Sequence, residues 1–315
     1  MKDAHVFSHY KEAVMGSICD LAREHSDIVF LDADLSSCIG STVFQKEFPD
    51  RFFNCGIAEA NMAAVAAGLA SGGFTPFIHS FGCFASRRDF DQLFISVGYA
   101  HQTVHVIGTD PGITAQYNGG THMPFEDIAL FRQIPGFVIV EPSDSQSLYE
   151  LVQQIYANGK PSYIRTPRKG IVHRYEAGDS RIQLGKGIEL RDGGDIAIIA
   201  TGALLVDAAL KAADALAEKG VKATVVDLHT IRPLDTELIE KVAARTGRVL
   251  VCENGRYPGG VGEMIAGHLA AVNPVKMAFL NVGERFGEVG DLKYLSAAFG
   301  FTPEGVIAKA EELLK

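Results

Sequence analysis

The chain has 315 residues, 47% of them apolar and 21% charged, with 33 glycines and 12 prolines. That balance belongs to a globular protein long enough for two domains, and it excludes a disordered chain, a coiled coil and a disulfide miniprotein. Twenty-nine basic against 38 acidic side chains leave a net charge of −9, which argues against nonspecific attraction to nucleic acid or membrane and favours small molecules or other proteins as partners. The longest near-unbroken apolar run, Met62 to Ala70, is about half of what a spanning helix needs, and no charged-then-apolar signal stands at the N-terminus. Five cysteines (Cys19, Cys38, Cys55, Cys83, Cys252) lie scattered without a C-x-x-C pair, so neither a disulfide framework nor a metal site is expected, and the expected location is the cytoplasm.

Short β-branched runs alternate with helix-length amphipathic stretches along the chain, a rhythm that calls for mainly parallel sheets covered by helices; the class is α/β. In the first half the order is a helix at Tyr10 to Glu24, a strand at Ile28 to Leu31, a helix at Ala58 to Gly68 and a strand at Thr75 to His79. A helix at Arg87 to Tyr99 follows, then strands at Thr103 to Gly108 and Phe137 to Val140, a helix at Asp144 to Tyr156 capped by Pro142-Ser143-Asp144, and a strand at Ser162 to Arg165. From about Arg168 to Glu189 the pattern lapses into charged and Gly-containing sequence, which sets a boundary between a domain at 1–175 and another at 185–315. The second offers strands at Asp195 to Ala200, Ala223 to Leu228, Arg248 to Cys252 and Val275 to Leu280. Helices at Ala203 to Lys219, Asp235 to Ala244 and Gly260 to Ala271 lie between them, and a last helix runs from Pro303.

Four segments could carry chemistry. In Gly56-Ile57-Ala58-Glu59 a lone carboxylate leads an otherwise apolar helix. An acid there suits the helix dipole, but one facing an apolar interior can also share a proton with a basic nitrogen of a ligand. Phe81 and Phe84 follow a strand end, where two rings either join the core or stack on a planar heterocycle. His122 stands in Gly119-Gly120-Thr121-His122-Met123-Pro124, a Gly-rich loop with little packing reason for an imidazole and good reason for a catalytic one. Arg165 and Arg168 place two guanidinium groups at a strand end, suited to clamping phosphate or carboxylate, with a solvated pair as the equal alternative. Pro258-Gly259-Gly260-Val261-Gly262-Glu263 is a weak dinucleotide loop, and no G-x-x-x-x-G-K-S/T occurs.

In order and spacing these segments resemble the C-terminal half of transketolase-type thiamine diphosphate enzymes, including 1-deoxy-xylulose-phosphate synthase and split transketolases made of two chains. The resemblance runs through Asp32-Ala33-Asp34-Leu35-Ser36, the segment ending at Glu59, Ser80-Phe81 with Phe84, Arg88 with Gln92, and Gly120-Thr121-His122. It continues through Ile139 to Asp144, Arg165-Thr166-Pro167-Arg168, Ile231-Arg232-Pro233-Leu234-Asp235 and Glu253-Asn254-Gly255. It implies a pyrimidine-binding domain followed by a transketolase C-terminal domain, in a transferase that moves a two-carbon ketol unit between sugars or sugar phosphates. Such enzymes hold Mg²⁺ and the cofactor's diphosphate on a separate domain with a Gly-Asp-Gly motif, which this sequence lacks. The resemblance therefore implies a thiamine diphosphate shared with a pyrophosphate-domain subunit that supplies the Mg²⁺, and an α₂β₂ assembly that is active only when paired.

It also implies roles by residue. Glu59 would bond N1′ of the aminopyrimidine, with Phe81, Phe84 and Ile57 packing near that ring and Asp34 near the thiazolium. His122 would handle hydroxyl protons, while Arg168, Asn118, Arg88, Ser36 and Lys11 would meet the substrate. Asn118 stands where transketolases carry an acid, Lys11 where they carry an Arg, and Asp110 where ordinary transketolase has a basic phosphate ligand. A bare carboxylate at Asp110 would repel phosphate, so an altered acceptor is expected. The competing readings are the β subunit of a 2-oxo acid dehydrogenase decarboxylase component and a non-catalytic paralogue. His229, His268 and the Glu253-Asn254-Gly255 turn are expected to do strand-end and interface work.

Overall fold

Strands buried on both faces need uninterrupted apolar runs, because helices cover a parallel sheet above and below. Every residue of Ile28–Asp32, His105–Thr109, Ser162–Thr166, Ile196–Ala200 and Ala223–Asp227 is buried in this way. The computed structural model describes residues 7–170 and 172–315; the start of the expected first domain and Ile171 in the boundary segment lie outside the described residues. The strands are β1 (Ile28–Asp32), β2 (Phe52–Asn54), β3 (Thr75–Phe81), β4 (His105–Thr109), β5 (Val138–Val140) and β6 (Ser162–Thr166). There follow β7 (Ile188–Arg191), β8 (Ile196–Ala200), β9 (Ala223–Asp227), β10 (Thr230–Arg232), β11 (Arg248–Cys252) and β12 (Lys276–Leu280). Among the described residues one sheet has the order β10-β5-β6-β4-β3-β1-β2 and the other β12-β11-β8-β9-β7. Every neighbouring pair is parallel except β10 on β5 and β7 on β9.

The fold is thus two mainly parallel α/β sheets, as the periodicity requires. Helices Tyr10–Glu24, Glu59–Ser71, Ser145–Asn158, Gly202–Glu218 and Pro303–Leu314 lie where the pattern puts them, and Asp144 caps its helix by accepting from Ser147 N. One expected element is corrected. Arg87 to Tyr99 is not a single helix but a turn at Phe84–Arg87, a second at Phe90–Gln92 and a π-helical Leu93–Tyr99. The break is at Asp89, whose φ of −110° and ψ of 10° leave the helical region and whose carboxyl is fully buried.

The two sheets meet around Arg165, which is 0% exposed. Its guanidinium donates to Asp127 Oδ2 (2.7 Å), Glu141 Oε1 (2.5 Å), the Pro124 carbonyl (3.1 Å) and the Asn254 carbonyl (2.8 Å). Burial opposes its charge, but Asp127 and Glu141 outweigh burial and hold it protonated. Arg165 is therefore an internal fastener and not one of a pair of phosphate clamps. Beside it, Glu253 at the end of β11 accepts from Val261 N (2.7 Å) and Gly262 N (3.0 Å), the leading amides of the Val261–Val272 helix.

Burial pushes the Glu253 carboxyl up to about 7 against those two amides. A folded value above the unfolded one means stabilisation that is complete at low pH and lost as pH rises from about 4.5 through 7. Glu253→Gln should flatten that slope, so the wild type should lose about 3 kcal/mol more than the variant between pH 4.5 and 8. Urea unfolding across that range measures it, and parallel pH profiles for the two chains would refute it.

Candidate active site

The carboxyl ends of β1, β3, β4 and β6 converge at one edge of the first sheet, the edge where open α/β sheets bind ligands. A buried polar relay ties β1, β3 and β4 together. Asp32 Oδ2 lies 3.2 Å from His79 Nδ1, and His79 Nε2 lies 3.2 Å from Thr109 Oγ1, all three side chains buried. Sequence reasoning assigned this relay nothing; its signal was a histidine in the middle of an apolar strand.

Glu59 opens the Glu59–Ser71 helix and is 3% exposed. Its carboxyl accepts from Ser80 Oγ at 3.2 Å and from Arg88 Nη1 at 3.1 and 3.2 Å. The Arg88 guanidinium lies 3.8 Å from the centre of the Phe84 ring. Phe84 and Phe81 stand 6.2 Å apart, and His122 meets both rings edge-on at 5.2 and 5.9 Å. Thr121 Oγ1 lies 2.9 Å from His122 Nδ1. On the other side the Arg168 guanidinium lies 4.9 Å from the Phe81 ring centre. Glu59, Arg88, Phe84, His122, Phe81 and Arg168 are therefore one continuous cluster. Its residues fit an aminopyrimidine, with a held, buried carboxyl to share a proton with a ring nitrogen and two aromatic rings beside it.

The remaining expected residues sit around this cluster. Asp34, exposed and at φ 63°, accepts from Asn54 Nδ2 (2.9 Å), and Asn54 Oδ1 accepts from Gly56 N (2.9 Å), so Asp34 steadies the approach to Glu59. Ile57 on that approach is 77% exposed. Ser36 starts the one-turn Ser36–Ile39 helix, and Lys11 donates its backbone N–H to the Arg168 carbonyl at 3.4 Å. Asn118 lines a cleft of about 300 Å³ together with Asp110, Arg168 and Lys169 from the first domain and Leu204 and Asp207 from the second.

One expectation is overturned here. Asp110 is not a bare carboxylate, because Arg168 grips it with Nε at 2.9 and 3.0 Å and Nη2 at 2.6 Å. Burial opposes the Arg168 charge and Asp110 sustains it. The pair is nearly neutral as a unit, so it neither repels a phosphate as Asp110 alone would nor clamps one as Arg168 alone would.

Two family models match the chain: "Transketolase, pyrimidine binding domain" over residues 8–172 and "Transketolase, C-terminal domain" over residues 185–306. The 6-deoxy-6-sulfo-D-fructose transketolase subunit SqwH of Clostridium sp. (strain MSTE9) is 42% identical over 303 residues, spanning 96% of this chain and 94% of that one. An apulose-4-phosphate transketolase subunit of Phocaeicola vulgatus is 32% identical over 305 residues, 97% of each chain. A split gene transketolase in an inactive beta4 tetramer shares the fold with a TM-score of 0.88 and 34% identity, over 98% of this chain and 99% of that one. Relatives of this kind do not favour the 2-oxo acid dehydrogenase reading.

Asp110→Asn should release the Arg168 guanidinium and raise the affinity of the chain for inorganic phosphate by roughly tenfold, the effect of freeing a half-buried charge-assisted pair. Isothermal titration of both chains at low salt measures it; equal affinities would mean that Asp110 does not mask Arg168.

Proposed function

The chain belongs to the transketolase family, and on that premise we propose that it is the pyrimidine-binding and C-terminal subunit of a split transketolase. In this reading residues 1–175 form the pyrimidine-binding domain and residues 185–315 the C-terminal domain. A second chain carries the pyrophosphate domain and Mg²⁺, and the two assemble as α₂β₂, a symmetric arrangement common for such pairs. The continuous cluster from Glu59 to Arg168 is the observation that carries the proposal. Five cysteines that are all free suit a reducing compartment, the cytoplasm. Among the described residues no helix is long and apolar enough to cross a membrane.

Thiamine diphosphate, when bound, supplies the nucleophilic carbon and carries the two-carbon unit between donor and acceptor. The work of this chain is to bind, orient and move protons. Glu59, its carboxyl fixed by Ser80, would donate a hydrogen bond to N1′ of the pyrimidine and share its proton with that nitrogen. Arg88, its side chain 48% exposed, would turn toward solvent when the ring nitrogen takes its place beside Glu59. Phe81 and Phe84 cover the ring and exclude water. His122, packed against both rings, exchanges protons with sugar hydroxyls at the reacting carbon. Asn118 and the Arg168–Asp110 pair meet the far end of the sugar, with Ser36 and Lys11 near that end.

Substrate choice follows from the same pair. A guanidinium already neutralised by Asp110 is a poor fit to the phosphate tail of the usual acceptors, so an acceptor with a different tail is preferred.

Co-expression with a pyrophosphate-domain chain carrying Gly-Asp-Gly tests the whole reading. Ketol transfer should appear only in the pair, which should run as α₂β₂ in light scattering. Ribose 5-phosphate, erythrose 4-phosphate and glyceraldehyde 3-phosphate should be slow acceptors, and rates typical of a conventional transketolase would sink the specificity claim. Glu59→Ala should lower kcat by roughly 10²-fold or more, the scale of a lost proton-transfer group. Undiminished turnover would remove Glu59 from the mechanism.

A further inference from the structure

The segment from Asp110 to Phe125 carries Asn118 and His122, yet it has almost no internal support. It contains only the short 3-10 turns Gly112–Asn118 and Gly120–His122. Asp110 and Gln116 take φ of 60° and 52°, conformations that non-glycine residues keep only where their surroundings over-determine them. Its own domain holds it through Arg168 on Asp110, Asp110 N on the Thr166 carbonyl at 3.2 Å and Arg87 on the Thr121 carbonyl at 3.2 Å; the rest of the support comes from the other domain.

Both ends of the segment are tied to one turn after β11, Glu253-Asn254-Gly255-Arg256. The Asn254 side chain donates from Nδ2 to the Pro111 carbonyl at 2.9 Å and accepts the Ile113 N–H on Oδ1 at 3.1 Å. It thereby straddles Gly112, which sits at φ 50° and has no room for a Cβ, since one would lie 2.1 Å from Asn254 Oδ1. At the far end Arg256 N donates to the Phe125 carbonyl at 2.8 Å. Arg165 joins the two ends by donating to the Pro124 and Asn254 carbonyls. Between them Gly120 packs on Gly287, where a Cβ on Gly120 would stand 2.5 Å from the Gly287 carbonyl oxygen.

We infer that Asn254 is a positioning residue for the sugar-reading loop: from the second domain it sets the register of Pro111–Ile113 and so the placement of Asn118 and His122, without touching substrate. The inference rests on the proposed roles of Asn118 and His122 in sugar binding and proton transfer. Glu59 stands on a different element, the start of the Glu59–Ser71 helix, and its carboxyl is held by Ser80 and Arg88, which lie outside the loop. Steps that need sugar contacts should therefore depend on Asn254, whereas activation of the bound cofactor should not.

Two measurements on Asn254→Ala separate these. In the full chain, amide hydrogen exchange over residues 111–122 should speed up at least about tenfold, with residues 59–71 unchanged. In the reconstituted pair with thiamine diphosphate and Mg²⁺, kcat/KM for sugars should fall roughly 10- to 100-fold while deuterium exchange at C2 of the bound cofactor stays within about twofold of wild type. Asn254→Asp keeps an acceptor for Ile113 but loses the donor to Pro111, so its loop exchange should also rise and its kcat/KM for sugars should also fall. Unchanged loop exchange, unchanged sugar kinetics, or an equal loss in C2 exchange would each overturn the proposal. If loop exchange rises while the wild-type pair transfers no ketol unit, the functional reading fails and the clamp on the loop stands.

Discussion

A guanidinium that no water reaches must have all its acceptors supplied by protein, and that demand organises the molecule. Arg165 draws on the start of the Asp127–Arg132 helix, the residue after β5, the end of the sugar-reading loop and the turn after β11. Segments of both domains are thereby held in mutual register. A buried pair of this kind is weak evidence for stability, since a well-packed apolar substitute often does as well. Its significance is geometric: losing any one partner leaves the buried guanidinium short of an acceptor, so each segment is confined by the others. The strand ends that begin the chemical loops are rigid for this reason, and loops on a rigid edge can hold side chains at working distances.

Much of the architecture was legible because parallel sheets write themselves plainly into sequence. Ile28 to Leu31 and Ile196–Ala200 are continuous apolar runs, and Tyr10–Glu24 repeats at helical spacing, so both patterns could be read directly. β2, β7 and β10 escaped notice because three or four residues carry no period of their own, and β10 pairs outside its own domain. The kinked stretch at Asp89 escaped because Phe90 to Tyr99 keeps an apolar pattern that a single helix would also show.

In the site, Glu59, Phe81, Phe84 and His122 were legible as misfits: an acid in an apolar helix, rings at a strand end, an imidazole among glycines. Arg165 and Arg168 were read alike and behave oppositely. One faces inward from β6 toward Asp127 and Glu141, and the other lies past the strand end against Asp110. Nothing in the local sequence separates them, because the carboxylates that decide their fates lie 24 to 58 residues away along the chain. The turn at Asn254 was legible as strand-end and interface work, but its partners were not: the Pro111 carbonyl and the Ile113 N–H come from the other half of the molecule, and backbone groups leave no mark on composition.

β10 belongs by sequence to the second half and by hydrogen bonding to the first sheet, where it pairs with β5 through Thr230 opposite Val140 and Arg232 opposite Ile139. Cutting the chain in the charged stretch between the halves would give one fragment a raw strand edge at β5, a surface prone to pairing with whatever comes near. The other fragment would trail the strand meant to cover it. The stretch where composition changes is therefore a poor seam for recombination. Exchange of genetic material there would yield sticky halves.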